Sequence, residues 1–363
     1  MKMKPKFLFL VAIVATLFVN TQGVFADPAG DRIKVKVVVV SMFERGESRG
    51  DLPGELQLWL ERLDFDNEFS FPMGEEPLYM TDDGVMVTMT GGGIPNATSS
   101  IMALGMDPRF DFSHSYWLVA GIAGGDPADV SLGSAAWARH VVDGDLAYEI
   151  DGREIPDSWP YGMIPLDAKK PTKMAAELNP DRRPSTIAFS LNEGLVDWAF
   201  SITRDLDLGD SPGIAAYRKA YVGYPAGQRP PFVTIGDNLS SSTYWHGAML
   251  NEWANDWVPL YAGEEASFMT SDMEDSGIMT ALHRLGRAQR VNTQRVLVLR
   301  TVSNYTMPPD SESAVWSKAQ PYPDNGIPSF EAAFIVGNTV VQALLDGWES
   351  YQHALPSSDD VAQ

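Results

Sequence analysis

The segment Tyr116–Gly125, YWLVAGIAGG, decides the fold class of this 363-residue chain. Its first half, Tyr116–Ala120, is apolar without alternation, which is typical of a strand covered on both faces of a sheet. Three glycines, Gly121, Gly124 and Gly125, then interrupt the run. A buried strand that ends in glycines predicts a turn at its carboxyl end, where something approaches the backbone closely.

Neighbouring segments repeat this order of strand, glycine and helix. Arg32–Ser41 ends in four consecutive valines before its serine, as a central strand does. Gly84–Thr90 is a second strand, and a glycine turn with Gly92 and Gly93 then opens a helix over Asn96–Met106. Because ligands of open α/β sheets bind at the carboxyl ends of strands, these glycines are candidate binding positions.

The rest of the chain continues the alternation of helices and strands. The further predicted elements are a helix over Leu52–Leu63, a surface excursion over Asp151–Pro184, a helix over Asn192–Lys219, a strand over Phe232–Gly236, a helix over Asp275–Arg290, a strand over Arg295–Ser303 and a helix over Phe330–Leu345. The pattern predicts one α/β domain over residues 27–363, a three-layer arrangement in which helices flank a mixed, twisted sheet.

The first 26 residues have the composition of a secretory signal peptide. Lys2, Lys4 and Lys6 form the basic region, Phe7–Val19 is the apolar region, and Val24–Ala26 is a small-residue cleavage site. The alternative, a transmembrane anchor, needs a longer apolar run. We therefore expect cleavage after residue 26, export to the periplasm, and no later segment that spans a membrane.

Composition narrows the ligand class. The chain has 48 acidic against 27 basic residues, a net charge of −21, and no cysteine. A surface this acidic repels nucleic acid and anionic lipid, so a neutral or cationic small molecule is the expected ligand. The five histidines are scattered and no pair has the spacing of metal ligands, so we expect no metal and no other cofactor.

Four motifs follow one another along the chain. They are TGGGIPNATSSIMAL (Thr90–Leu104), VAGIAGG (Val119–Gly125), SDMEDSGIMTAL (Ser271–Leu282) and VLVLRTVSN (Val296–Asn304). Their order resembles the nucleoside phosphorylase superfamily. With GDNLSSSTYWHG (Gly236–Gly247), the chain is more closely similar to the purine nucleoside permease family. The resemblance covers nearly all of the chain after the signal segment and implies a fold of the nucleoside phosphorylase type.

The resemblance also implies roles for several side chains. Met273 would pack on the sugar, and the Glu274 carboxylate would accept hydrogen bonds from ribose hydroxyls. Asn304 would recognise the edge of a purine. The aromatic group that stacks on the base is expected among three neighbours, Tyr244, Trp245 and His246. Each role has a structural alternative: a carboxylate at a helix N-terminus, an Asn in a turn, and a buried aromatic cluster.

Two acids are candidates for catalysis. Glu44 follows the first strand, where a Glu positions the attacking water in the hydrolytic members of the superfamily, and Glu47 is the second choice. The alternative is a solvated acidic turn in which Glu44 pairs with Arg45 or Arg49. Asp237 would orient the aromatic loop or take part in catalysis by protonating the leaving base.

The glycine motif bears on the choice between water and phosphate. Ile122 stands where the phosphorylases carry a hydroxyl, and the three residues before Gly121 include no arginine. Burying an anion without a cation or a hydroxyl is costly, so the motif favours water as the nucleophile. Arg45, Arg49 and Arg300 are the cations that would restore phosphate binding from elsewhere in the chain.

The predicted function is an exported purine nucleoside-binding protein that cleaves the N-glycosidic bond with water. One alternative is a non-catalytic component of nucleoside uptake that delivers its ligand to a separate transporter, as the family name implies. The other alternative is a purine nucleoside phosphorylase. The macromolecular partners left open are that transporter and further copies of the same chain.

Overall fold

The computed structural model of the protein describes residues 32–361. The predicted signal peptide and its cleavage site lie outside the described residues, so they stay predictions. The strands are β1 (Ile33–Lys34), β2 (Val37–Ser41), β3 (Asn67–Phe69), β4 (Leu78–Met80), β5 (Val85–Met89), β6 (Phe110–Asp111), β7 (Tyr116–Gly125), β8 (Ala135–Trp137), β9 (His140–Asp143), β10 (Ala147–Glu149), β11 (Met163–Pro165), β12 (Ala188–Ser190), β13 (Val233–Ile235), β14 (Asp237–Ser240), β15 (Phe268–Asp272) and β16 (Val296–Tyr305).

The α-helices connect these strands. They are α1 (Gln57–Arg62), α2 (Ile94–Met106), α3 (Glu193–Thr203), α4 (Pro212–Arg218), α5 (Ala248–Ala262), α6 (Asp275–Arg287), α7 (Ala314–Ala319), α8 (Ile327–Asp346) and α9 (Trp348–Tyr351). Short 3₁₀ turns lie at Ala175–Glu177, Pro180–Arg182, Thr293–Arg295, Pro323–Gly326 and Ser358–Val361.

Strand β7 is the centre of the main sheet. Its first half pairs in parallel with β2 on one side and β16 on the other. Its last two residues, Gly124 and Gly125, pair with β15 in the antiparallel sense. The sheet runs in the order β12-β9-β14-β15-β7-β2-β5-β4-β3, with β16, β8 and β13 branching from β7. The predicted α/β class, a mixed sheet flanked by helices, is confirmed.

Helix α8, the longest among residues 32–361, packs across β7 and β16 in the core. By length and composition the stretch Pro323–Asp346 is apolar enough to cross a membrane, so composition alone does not decide the expectation that no later segment spans one. Val336, Val340 and Val341 are fully buried against the rest of the fold, and Trp59 lies against the backbone of Gly337. The apolarity of this helix is therefore accounted for by core packing.

Several predicted boundaries differ from the structure for local reasons. The predicted helix over Asn192–Lys219 is two helices, α3 and α4, because Gly209 adopts a left-handed φ of 72° and Pro212 starts a new helix. The predicted helix over Leu52–Leu63 begins only at Gln57. Helix α5 and strands β14 and β15 were not predicted.

The glycine motif of β7 is the main correction to the predicted fold. The strand does not end at Ala120 but continues through Gly125, because β16 pairs along its whole length. A Cβ atom at Gly121 would lie 2.0 Å from Met42 Cε and 2.6 Å from Glu55 Oε1. What approaches this backbone is therefore the protein itself, through the side chains of Met42 and Glu55.

Candidate active site

A cavity of about 340 Å³ opens where β7, β15 and β16 end and the turn after β5 begins. We call it the main cavity. Seven of the predicted site residues line it: Gly92, Gly124, Tyr244, Trp245, Met273, Glu274 and Asn304. Ten lining residues were not predicted as site residues: Phe43, Glu55, Ile122, Ala123, Thr243, Ser271, Asp272, Ser303, Thr306 and Tyr322.

Glu274 stands at the start of α6 and faces this cavity. Its Oε1 accepts the backbone N–H of Gly93 at 3.0 Å, which ties it to the glycine turn after β5. Its Oε2 lies 3.7 Å from Nη2 of Arg300. Burial raises the pKa of Glu274 to about 7, although Arg300 works in the opposite direction. The carboxylate thus holds one fixed position and keeps acceptor capacity for a ligand.

Glu55 is the second carboxylate of the cavity, and motif comparison missed it. Its two oxygens each accept one backbone N–H at 2.7 Å, from Met42 just after β2 and from Ile122 within β7. Burial raises its pKa to about 7, while Arg300 and the two N–H groups lower it. These contacts fix the carboxylate between the two central strands with lone pairs left over. The available signal was an acid opening the apolar segment ELQLWL.

Arg300 is the cation nearest to Glu55 and Glu274, and other carboxylates already compensate its charge. Its side chain is 1% exposed. Nη2 lies 2.7 Å from Asp272 and also contacts Asp275, and Nε lies 3.0 Å from the other Asp275 oxygen. Its Nη1 donates to the Ile122 carbonyl at 3.0 Å. Every nitrogen of the guanidinium is therefore engaged within the protein.

The remaining arginines named by the sequence point elsewhere. Arg45 donates to the carbonyls of Pro53 and Asn325, and Arg49 lies over the Tyr79 ring. In the described part of the chain, the lining of the main cavity includes no Lys and no Arg. A bound dianion would therefore face three carboxylates, those of Glu55, Asp272 and Glu274, without a free cation.

One wall of the cavity carries an amide and two aromatic rings. Asn304 donates from Nδ2 to the Tyr244 hydroxyl at 3.0 Å, and its Oδ1 accepts from the Ser303 hydroxyl at 3.0 Å. Trp245 is half-buried and packs edge-on against Trp253, with ring centroids 5.6 Å apart. Burial raises the pKa of Tyr244, so its phenol keeps its proton at neutral pH.

The structure does not place the other predicted acids at the cavity, which corrects their expected position. Glu44 accepts the N–H groups of Gly54, Leu56 and Gln57, so it satisfies the free donors at the start of α1. Asp237 accepts the N–H groups of His140 and Ser267 at 2.8 Å each. Neither residue lines the cavity.

The last four corrections concern His246, Gly93, Gly121 and Gly125. His246 lies in a small adjoining pocket with Asn304 and Lys318, and burial lowers its pKa. Gly121 and Gly125 are needed for close packing, since a Cβ atom at Gly125 would lie 2.7 Å from Val302. Gly93 acts through its N–H group on Glu274 without lining the cavity.

Two solved structures that are similar to this chain are a nucleosidase and a hydrolase. The 5′-methylthioadenosine/S-adenosylhomocysteine nucleosidase from Neisseria meningitidis is 15% identical with a TM-score of 0.48, and the match covers 85% of this chain and 99% of that one. The futalosine hydrolase of Helicobacter pylori is 16% identical with a TM-score of 0.49, covering 85% and 98%.

Sequence relatives give the family directly. The probable purine nucleoside permease of Schizosaccharomyces pombe is 32% identical over 314 residues, which is 82% of this chain and 86% of that protein. The purine nucleoside permease of Candida albicans is 29% identical over 324 residues, or 86% and 76%. The model of the purine nucleoside permease (NUP) family matches residues 34–356. The chain therefore belongs to the purine nucleoside permease family.

Proposed function

We propose that the main cavity binds a purine nucleoside and cleaves its N-glycosidic bond with water. The observation that carries the proposal is the pair Glu55 and Glu274. Both are buried carboxyls whose pKa is raised to about 7, and both line one cavity that holds no Lys or Arg among the described residues. A base that titrates near the working pH suits the activation of water.

The remaining roles follow from position. Glu274 accepts hydrogen bonds from the ribose hydroxyls, with Met273 packed on the sugar. The base stacks on Trp245, and Asn304 with Tyr244 reads its edge, since an amide both donates and accepts. Glu55 orients the water and takes its proton as the C–N bond breaks. Because Asn304 has no proton to give up and Asp237 lies elsewhere, a second water protonates the leaving base, and the hydroxide that remains takes back the proton held by Glu55, which restores the carboxylate.

Phosphorolysis is the disfavoured alternative. It needs a cation to offset the desolvation of phosphate, and Arg300 is held by Asp272 and Asp275. The acids of the cavity would also repel a phosphate dianion. A positively charged sugar in the transition state is instead stabilised by the same acids.

A second function, nucleoside binding for uptake without cleavage, is favoured by the names of the relatives, which are called permeases. Purified protein incubated with inosine or adenosine separates the two functions. Release of free base, monitored by chromatography, is the expected result. Stoichiometric binding of the nucleoside without any free base would instead support the uptake role.

Export stays part of the proposal. We expect the mature protein to begin at Asp27, on the strength of the first 26 residues alone. Mass spectrometry of the protein from the periplasm of an expressing bacterium measures its N-terminus. Recovery of the chain with Lys2–Ala26 still attached would contradict the expectation.

The pH dependence of turnover follows from Glu55. The carboxyl must be ionised to accept a proton, and its pKa is about 7. Turnover should therefore be low at pH 5 and rise about tenfold per pH unit until it levels off above about pH 7. Measuring kcat with inosine across this range tests the expectation. A rate that is flat from pH 5 to pH 8 would exclude Glu55 as the base.

Glu274→Gln should weaken the binding of a nucleoside much more than the binding of its free base. We expect nucleoside binding to weaken by about 1.5–3 kcal/mol, since a charged acceptor for ribose is lost. Binding of the free purine should change little. Calorimetry with inosine and hypoxanthine gives both values, and equal losses for the two ligands would show that Glu274 does not contact the sugar.

A further inference from the structure

Tyr322 lines the main cavity, and the roles assigned so far leave it unused. It comes just before the 3₁₀ turn Pro323–Gly326 and is 41% exposed. Its hydroxyl is hydrogen-bonded to the hydroxyl of Tyr244, which in turn contacts Asn304. Tyr322 therefore lies in the wall of the cavity that binds the base in the proposed function.

These three side chains form a hydrogen-bond chain whose direction is fixed at Asn304. Nδ2 of Asn304 lies 3.1 Å from the carbonyl oxygen of Tyr305, which can only accept, so the amide nitrogen must face it. The same nitrogen donates its second hydrogen to the Tyr244 oxygen at 3.0 Å. Tyr244 then donates its own proton to the oxygen of Tyr322. Burial raises the pKa of both phenols, and the contact between them further raises the pKa of Tyr244 and lowers the pKa of Tyr322, as expected of a donor and its acceptor.

The proton of Tyr322 is left without an acceptor inside the protein. Among residues 32–361, Tyr244 is the one side chain hydrogen-bonded to the Tyr322 hydroxyl, and Tyr244 is the donor. Ser303, the hydroxyl next to Asn304 in the chain, donates to Asn304 Oδ1 at 3.0 Å. Tyr322 is therefore the hydroxyl at this wall that can donate to a bound base.

The charges around the main cavity suit a base that departs as an anion along this wall. The small adjoining pocket behind the wall includes Lys318 and, in the described chain, no Asp or Glu. The Lys318 ammonium lies 5.1 Å from the centroid of the Tyr244 ring. Glu55, Asp272 and Glu274 instead line the main cavity itself. As the glycosidic bond breaks, the sugar becomes positive and the base negative, so acids stabilise the sugar while a donor beside a cation stabilises the base.

We propose that Tyr322 is a catalytic residue whose hydroxyl donates a hydrogen bond to the departing purine. The electron pair of the C–N bond moves onto the base while water adds to the sugar, and the phenol stabilises that charge without transferring its proton. The second water still supplies the proton that the base takes up. Because hydrogen bonds to charged acceptors are the stronger ones, this contact strengthens in the transition state. The role rests on the proposed cleavage.

The test compares inosine with 7-methylinosine, using the full protein. Methylation at N7 makes the base positively charged, so it leaves as a neutral molecule and no anion needs stabilising. Tyr322→Phe keeps the ring and removes the hydroxyl. Single-turnover release of the base from inosine should fall about 10- to 100-fold, the range for one hydrogen bond to a charged group, while the half-saturating concentration stays within about threefold. Release from 7-methylinosine should change by less than about twofold.

Tyr224→Phe is the matched control. Tyr224 donates to Asp310 at 2.7 Å, which ties down the start of the segment that carries Tyr322, and it lines neither the main cavity nor the small pocket. Its base release should stay within about twofold for both nucleosides.

Three results would overturn the role of Tyr322 while the proposed cleavage stands. They are an inosine rate in Tyr322→Phe within about twofold of the unaltered protein, equal losses on the two nucleosides, and the same loss in Tyr224→Phe. If the unaltered protein releases no base from either nucleoside, the proposed cleavage fails and the role of Tyr322 fails with it.

Discussion

Glu55→Gln should reduce the turnover of inosine by about a hundredfold to ten-thousandfold, the usual contribution of a positioned general base. The glutamine side chain is isosteric but cannot take a proton from water. Its single carbonyl oxygen can accept only one of the two N–H groups that Glu55 holds, from Met42 or from Ile122, so we also expect a loss of stability of about 1–3 kcal/mol, which urea unfolding measures separately from turnover. Steady-state release of hypoxanthine measures the loss of turnover.

Binding of inosine should survive the same change within a few-fold, because the sugar and base contacts lie on other residues. The matched control is Glu44→Gln. Glu44 is an acid near the same strand end, but it caps α1. Its replacement should cost about 1 kcal/mol of stability and leave kcat near that of the unaltered protein. If Glu44→Gln abolishes turnover and Glu55→Gln does not, the two assignments are reversed.

Arg300→Met should have the largest effect on stability. Removing the guanidinium leaves Asp272 and Asp275 buried without a cation, a change that typically costs about 3–5 kcal/mol. Methionine fills much of the same volume, so the loss reports charge more than a cavity. Urea unfolding gives the free energy of unfolding for both proteins.

The loss of unfolding free energy caused by Arg300→Met should depend on pH, and it should be smaller at low pH. Asp275 already has a pKa of about 7 beside Arg300, because it is buried. A carboxyl whose pKa is raised in the folded protein favours folding while it is protonated. Its contribution to the free energy of unfolding is fully present below its unfolded pKa and is lost as the pH rises through about 7. Without Arg300 the carboxyl is held protonated more strongly still. The variant should therefore be closer to the unaltered protein at pH 5 than at pH 8.

Arg62→Met is the matched control for this measurement. Arg62 forms an exposed ion pair with Glu331 at 2.6 Å, and pairs of that kind contribute about 0.2–1 kcal/mol. Its loss should be small and nearly independent of pH between 5 and 8. If Arg300→Met lowers the free energy of unfolding as little as Arg62→Met does, or lowers it equally at pH 5 and pH 8, Arg300 does not compensate the charges of Asp272 and Asp275.

The sequence alone predicts a site residue correctly when the residue belongs to a recognisable local motif. Met273, Glu274 and Asn304 sit at strand ends within recognisable motifs, and all three line the cavity. Glu55 could not be found in this way. It lies eleven positions after Glu44 in the sequence. Only the tertiary structure shows that Glu44 accepts the N-terminal N–H groups of α1, while backbone N–H groups just after β2 and within β7 hold Glu55.

Gly121 shows the same limit in another form. Its lack of a side chain predicted a close approach to the backbone, and a close approach exists. The partners are Met42, just after β2, and Glu55, from a segment that no local pattern connects to β7. In the same way, the carboxylates that neutralise Arg300 come from β15 and α6, so its availability to a phosphate could not be judged from the β16 sequence alone.

We propose that Glu55 activates water for cleavage in the main cavity and that phosphate takes no part. The most direct test identifies the sugar product when inosine is incubated with the protein in saturating phosphate and in its absence. We predict hypoxanthine with free ribose, at the same rate in both conditions, and loss of both products in Glu55→Gln. Ribose 1-phosphate as the main product, or inosine that stays bound and intact, would contradict the account.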